Sequence, residues 1–143
     1  MLHTPIVDRK GKVYCGPTAV AAITGMPLSK VEKMLRRVRN EGQADMIGGK
    51  TPRKSKAVRG IYNTELVKVL GRAGYKVTHH AGGMTLGALL DDRGHMGYHV
   101  VHYAHHYVSF ARGQIIDNGT LVPVDFGSFG RRAKRVKNFW EIS

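Results

Sequence analysis

The stretch Tyr14-Cys15-Gly16-Pro17-Thr18-Ala19-Val20-Ala21-Ala22-Ile23-Thr24-Gly25 sets the terms on which this chain can fold. Pro17 fits a helix only in its first turn, where the amide it lacks has no intrahelical acceptor. Ala19 to Ile23 are small and apolar, so the helix is predicted to be buried on most sides, with Gly25 as its stop. The single cysteine then stands at a helix N-terminus. Unpaired N–H groups and the positive end of the macrodipole favour a thiolate there. Such settings bring a cysteine pKa from about 8.5 to about 3.5–7.5. Free cysteine is also among the most buried residue types, so from this stretch alone an inert core residue is the simpler reading. The rest of the chain argues otherwise.

A length of 143 residues suits one domain, 1–143, with a real core. One cysteine excludes an internal disulfide framework and a Cys-rich zinc site. The first residues, Met1-Leu2-His3-Thr4-Pro5-Ile6-Val7-Asp8, do not read as a signal peptide, and no apolar run reaches the length of a membrane span. The expected location is cytoplasmic or virion-associated. Lysine and arginine total 23 against 10 aspartate and glutamate, for a formal charge of +13. Such an excess suits an anionic partner (nucleic acid, an acidic protein surface or a wall polymer), within a larger assembly or alone, and equally suits a solvated basic face. The charge is concentrated between Lys30 and Lys76 and again at Arg131, Arg132, Lys134, Arg135 and Lys137.

Pro27-Leu28-Ser29 opens a second helix, with Ser29 and Glu32 as a capping box and Val31, Leu35 and Val38 on its inner side. Its outer side carries Lys30, Lys33, Arg36, Arg37 and Arg39. From Glu41 to Gly60 the periodicity is lost. Lys50, Arg53, Lys54 and Lys56 make this a basic irregular loop, a candidate border to a cleft or contact for an acidic partner. It is not a phosphate-binding P-loop, since the leading glycine spacing is absent. Asn63 or Thr64 is expected to cap a third helix over Glu65–Ala73, followed by a strand over Tyr75–His79. Thr85 is expected to cap a short helix ending at Asp91–Gly94. Strands follow at Tyr98–Tyr103, His106–Phe110, Gln114–Asp117 and Leu121–Phe126. Arg135–Ile142 alternates and would close or edge the sheet. Helices first and an antiparallel meander after them indicate an α+β fold.

A cysteine nucleophile needs a base within reach and a group to orient that base. If Arg112-Gly113 is a two-residue turn, Ala111 pairs with Gln114 and Val108 lies across from Asp117. His106 then shares a face with Asp117, one diagonal step away, about 7–8 Å between backbones. A three-residue turn would put Asp117 on the other face. Eight histidines invite a metal reading, yet His99 and His102, His79 and His80, and His105 and His106 each point to opposite faces of a strand. No His-Glu-x-x-His helix is present, so no metal and no cofactor is assigned.

Tyr14-Cys15-Gly16-Pro17-Thr18-Ala19, followed by His106-Tyr107-Val108 and then Gly113-x-x-x-Asp117, resembles the papain-like cysteine peptidases. The likeness is to their compact bacterial and phage branch, which includes the bacteriocin-leader (double-glycine) peptidase domains of ABC exporters. It covers about a third of the chain, in the order Cys, His, Asp. The resemblance implies a papain-like fold, with Cys15 as nucleophile, His106 as general base and acid, and Asp117 as the residue that orients His106. His105 is the competing base, and the His-aromatic-Val pattern selects His106. A peptide or protein substrate is implied, cleaved at a peptide or isopeptide bond. Such enzymes commonly carry a glutamine several residues before the cysteine as an oxyanion donor. Here Val7-Asp8-Arg9-Lys10-Gly11-Lys12-Val13-Tyr14 holds neither Gln nor Asn. The Cys15 backbone N–H and Arg9 are the candidate donors, and losing one donor costs about 10²–10³ in rate. Two other readings therefore stand: a weak or inactive papain-like scaffold serving as a basic binding component, and an acyltransferase or deamidase using the same three residues.

Overall fold

The computed structural model describes residues 1–46 and 60–143, with the side chains of 42–46 outside the description. Helix α1 (Cys15–Thr24) is the apolar stretch described above, and Gly16 to Ile23 are all buried. Gly25 ends it at φ 74°, the left-handed conformation that glycine adopts without strain, and its N–H reaches the Ala21 carbonyl at 2.9 Å. Helix α2 (Leu28–Met46) lies against it.

The expected capping box of α2 does not form. Ser29 gives both its amide (2.9 Å) and its hydroxyl to the Asp8 carboxylate, so the cap comes from 21 residues upstream. Glu32 is then free to pair with Arg9. The helix also runs on to Met46, beyond the expected end at Glu41. The rest of the predicted irregular loop, with Lys50, Arg53, Lys54 and Lys56, lies outside the described residues.

Helix α3 (Asn63–Arg72) starts earlier than its periodicity suggests, with Tyr62 as N-cap in place of Asn63 or Thr64. Glu65 accepts the Tyr62 amide at 2.9 Å, and the Asn63 side chain accepts the Tyr107 hydroxyl instead. Strand β1 (Val77–Ala81) and helix α4 (Leu86–Arg93) follow, the latter capped as expected by Thr85, whose hydroxyl accepts the Ala88 amide at 3.2 Å.

The remaining strands are β2 (Tyr98–Tyr103), β3 (His106–Ala111), β4 (Gln114–Ile116), β5 (Val124–Asp125) and β6 (Asn138–Ile142). A short 3₁₀ turn, Phe126–Ser128, occupies the end of the segment expected to be strand. All pairings are antiparallel, in the order β1-β6-β2-β3-β4-β5. Strand β6 therefore lies inside the sheet, between β1 and β2, where the sequence left it either closing the sheet or at its edge. Its Phe139, Trp140 and Ile142 are buried, as a strand with neighbours on both sides permits.

The sheet carries a core on each face. On one side Val100, Tyr107, Ala111, Ile116 and Trp140 pack with α1, α2 and α3. On the other, Val101, Tyr103, Val108, Phe110 and Phe139 pack with α4 and Val136. The buried Ser109 hydroxyl donates to the Ala19 carbonyl at 2.9 Å, fixing α1 across β3.

Candidate active site

Two turns decide what the sheet presents. Ala104-His105 joins β2 to β3 with φ of 45° and 62°, and Arg112-Gly113 joins β3 to β4 with φ of 50° and 84°. Two consecutive positive φ values mark the tight turns whose twist suits a two-residue hairpin. The second gives the expected register, Ala111 to Gln114, Phe110 to Ile115 and Ser109 to Ile116. Extended by one residue, it sets Val108 across from Asp117, on the face shared by His106.

His106 opens β3, while His105 sits exposed in the turn. Tyr103 pairs with His106 across the hairpin. The two rings meet edge to face, centroids 5.5 Å apart at 72°. Tyr103 is 1% exposed, and its buried hydroxyl has no hydrogen-bond partner among the described residues. Burial pushes this phenol up to about 12; the negative charges of Asp117 and of an ionised Cys15 act the same way, and Arg131 opposes them. Burial likewise holds His106 below the ordinary imidazole value, with Asp117 pulling it up and Arg131 pushing it down. On the opposite face Tyr107 is also pushed up to about 12, by burial first and then by Cys15 and Glu65. His106 and Tyr103 thus sit together at the end of the β2–β3 hairpin, with Asp117 on the same face of the sheet.

The Cys15 thiol is free and half-buried at the first residue of α1, packed against the helical core without being sealed in it. Its neighbour Gly16 leaves room for Ile61: a Cβ there would stand 2.2 Å from Ile61 Cγ2. His106 Nε2 is buried without a hydrogen bond among the described residues. Asp117 Oδ1 accepts the amides of Gly119 (2.9 Å) and Thr120 (3.2 Å), closing a turn and leaving Oδ2 outside those bonds. Among the described residues no hydrogen bond joins His106 to Cys15 or to Asp117. Such contacts commonly tighten only when substrate is bound.

The other anticipated residues are dispersed. Arg9 Nε donates to Glu32 at 2.7 Å and its Nη1 to the Lys10 carbonyl at 3.0 Å. Arg132 pairs with Asp91 at 2.6 Å, and Arg135 donates to the Gly83 carbonyl at 2.8 Å. Arg131 and Lys134 are exposed. Among the described residues no three His, Cys, Asp or Glu side chains gather as a metal site.

Two residues went unnoticed in the sequence. Tyr103 is placed by alternation, but its role as the ring under His106 depends on the hairpin register. Asn118 reads as an ordinary turn residue, yet its side-chain amide donates to the Val13 carbonyl at 3.1 Å, tying the segment before Cys15 to the end of β4. Beside the site an open groove of about 500 Å³ is lined by Ile61, Tyr62, Asn63, Thr64, His102, His105 and Tyr107.

Helices against an antiparallel sheet in this order make the papain-like peptidase fold, in the compact form of the double-glycine peptidase domains. Two solved structures share it. One is a double-glycine-motif protease from an AMS/PCAT transporter in complex with the leader peptide, 14% identical, covering 96% of this chain and 89% of that one, with a TM-score of 0.53. The other is the peptidase domain of Streptococcus ComA, a bifunctional ABC transporter involved in a quorum-sensing pathway, 16% identical, covering 99% and 98%, with a TM-score of 0.53. At such identities the likeness is one of fold. No family model matches the chain, and no curated protein matches it by sequence.

Proposed function

We propose that this protein is a papain-like cysteine peptidase with Cys15 as nucleophile, His106 as base and acid, and Asp117 as the residue that orients His106. The observation that supports the reading is the β3–β4 register, which, one residue beyond Ser109–Ile116, sets Asp117 on the face of His106, with the free, half-buried Cys15 thiol at the head of the helix that crosses β3. In the reaction His106 accepts the thiol proton and Cys15 Sγ adds to the carbonyl carbon. The C–N bond then breaks as His106 returns the proton to the leaving amine. Water, deprotonated by His106, attacks the thioester, and the S–C bond breaks to release the acid and restore the thiol. The Cys15 amide, one of the first amides of α1 without an intrahelical acceptor, supports the oxyanion.

Iodoacetamide labelling at pH 7 tests this. Cys15 should react faster than a model thiol, and His106→Ala should slow it by about 10² or more, the usual scale of general-base assistance. His105→Ala should have the smaller effect. A wild-type rate no greater than the model thiol's would refute the peptidase reading. It would favour a non-catalytic basic scaffold, for which the commitment of Arg9 to Glu32 is the supporting observation.

A further inference from the structure

The outer side of α2 is charged in a way that a helix by itself does not favour. Lys30, Lys33 and Arg37 are exposed and fall within an arc of about 60° over about two turns, with Arg36 half-buried beside them. Lys33 stands three or four residues from Lys30, Arg36 and Arg37, and like charges at those spacings weaken a helix. The carboxylates nearest in the chain are engaged elsewhere. Asp8 caps Ser29, Glu32 holds Arg9, and Glu41, one turn beyond Arg37, holds Arg72. Lys30, Lys33, Arg36 and Arg37 form no ion pair among the described residues.

These cations line a hollow. An open groove of about 560 Å³ is bounded by Ser29, Lys30, Lys33, Met34, Arg36 and Arg37. A second, of about 320 Å³, adjoins it across Lys30 and Met34 and reaches Arg72 and Tyr75. Among the described residues neither groove has a carboxylate in its lining. The C-terminal basic cluster differs, since Arg132 is paired with Asp91 and Arg135 donates to the Gly83 carbonyl.

We propose that the outer face of α2 is a docking surface for the phosphate backbone of duplex nucleic acid, a role independent of the peptidase reading. Charge density selects this partner. Lys30 to Arg37 span about 10 Å of helix axis and carry four cations. Duplex DNA presents about six charges over that length, at one per 1.7 Å. An extended acidic peptide rises about 3.3 Å per residue with alternate side chains on one face, and so offers about two. No aromatic ring lines the larger groove, so the base stacking on which single-strand binding relies has no platform there. Phosphate contacts carry no base sequence, so the binding is independent of sequence.

Fluorescence anisotropy of a labelled DNA duplex of about 20 bp, titrated with the full chain, tests this. Four phosphate contacts predict a slope of log K against log salt of about −3.6, hence about 10²-fold weaker binding at 200 than at 50 mM salt. Lys30→Gln with Lys33→Gln and Arg37→Gln should bring the slope to about −1, and each substitution alone should reduce it by about 1. Arg131→Gln with Lys134→Gln and Lys137→Gln removes equal charge from the other basic cluster and should leave the wild-type slope. All of these positions are exposed, so both variants should melt with the wild type. Absence of salt-dependent binding overturns the proposal, as does an equal fall of slope in the two triple variants. Tighter binding to a polyglutamate peptide of equal charge overturns it as well and assigns the face to an acidic protein. None of these outcomes bears on the peptidase reading, which Cys15 labelling decides.

Discussion

Gly16→Ala tests how the head of α1 is packed beside the candidate nucleophile. The added Cβ would stand 2.2 Å from Ile61 Cγ2 and 2.9 Å from Ile61 Cβ. Neither atom is the far end of a flexible chain, for both belong to the branch point of a side chain that is stiff at χ1. The Ile61 backbone is held as well, its carbonyl accepting the Tyr107 hydroxyl at 3.3 Å. Either Ile61 shifts with its backbone or α1 lifts, an overpacking that costs about 1–3 kcal/mol. Alanine offsets this by at most about 0.5–1 kcal/mol through its better helix propensity. The net loss is then about 1–2 kcal/mol, or roughly 3–7 °C in Tm for a chain of this size. In an Ile61→Ala background the obstacle is gone, and the same substitution should be neutral or stabilising by a few tenths of a kcal/mol. Urea and thermal melts of the four proteins complete the cycle, with an expected coupling of about 1–2 kcal/mol. An equal cost of Gly16→Ala in both backgrounds, or a gain in the native one, would refute the argument.

His99, His102 and His106 are all held below the ordinary imidazole value, in each case by burial first. The unfolded chain therefore binds more protons below about pH 6.5, so stability is full above that value and falls as the pH drops toward the folded-state values. Urea midpoints from pH 8 to 5 should show this decline, and His99→Leu should flatten it. Arg39 grips Glu65 with two hydrogen bonds of 2.9 Å, both side chains being mostly buried. Arg39→Met should cost about 2–3 kcal/mol, somewhat under the figure for a fully buried pair, while Arg39→Met with Glu65→Leu should recover most of it. Ser109→Ala, which removes the bond to the Ala19 carbonyl, should cost about 1 kcal/mol in chemical denaturation.

What could be read in advance was local. Arg112-Gly113 announces a two-residue turn, and that turn alone fixes the parity that puts Asp117 on the face of His106. The spacing from Cys15 to Gly25 likewise defines α1 within its own residues. The errors come where a distant group replaced a local one. Ser29 looked like the cap of α2, but Asp8 takes its amide, and Glu32 turns to Arg9. Alternation marked β6 as a strand without saying which neighbours it would have, and the chain places it between β1 and β2.

The site depends on the same kind of distant contact. Periodicity and turn chemistry do not say that α1 should cross β3; only the order of the Cys, His and Asp motifs hinted that these parts of the chain belong together. Two bonds hold that crossing: Ser109 to the Ala19 carbonyl and Asn118 to the Val13 carbonyl. Both acceptors belong to the backbone, which every residue supplies, so neither acceptor leaves a mark on the sequence. Only the donors are visible, a serine within a strand and an asparagine in a turn, and each has a simpler local explanation. The elements themselves could therefore be inferred stretch by stretch, whereas the bonds that fix α1 across β3 had to be seen in three dimensions.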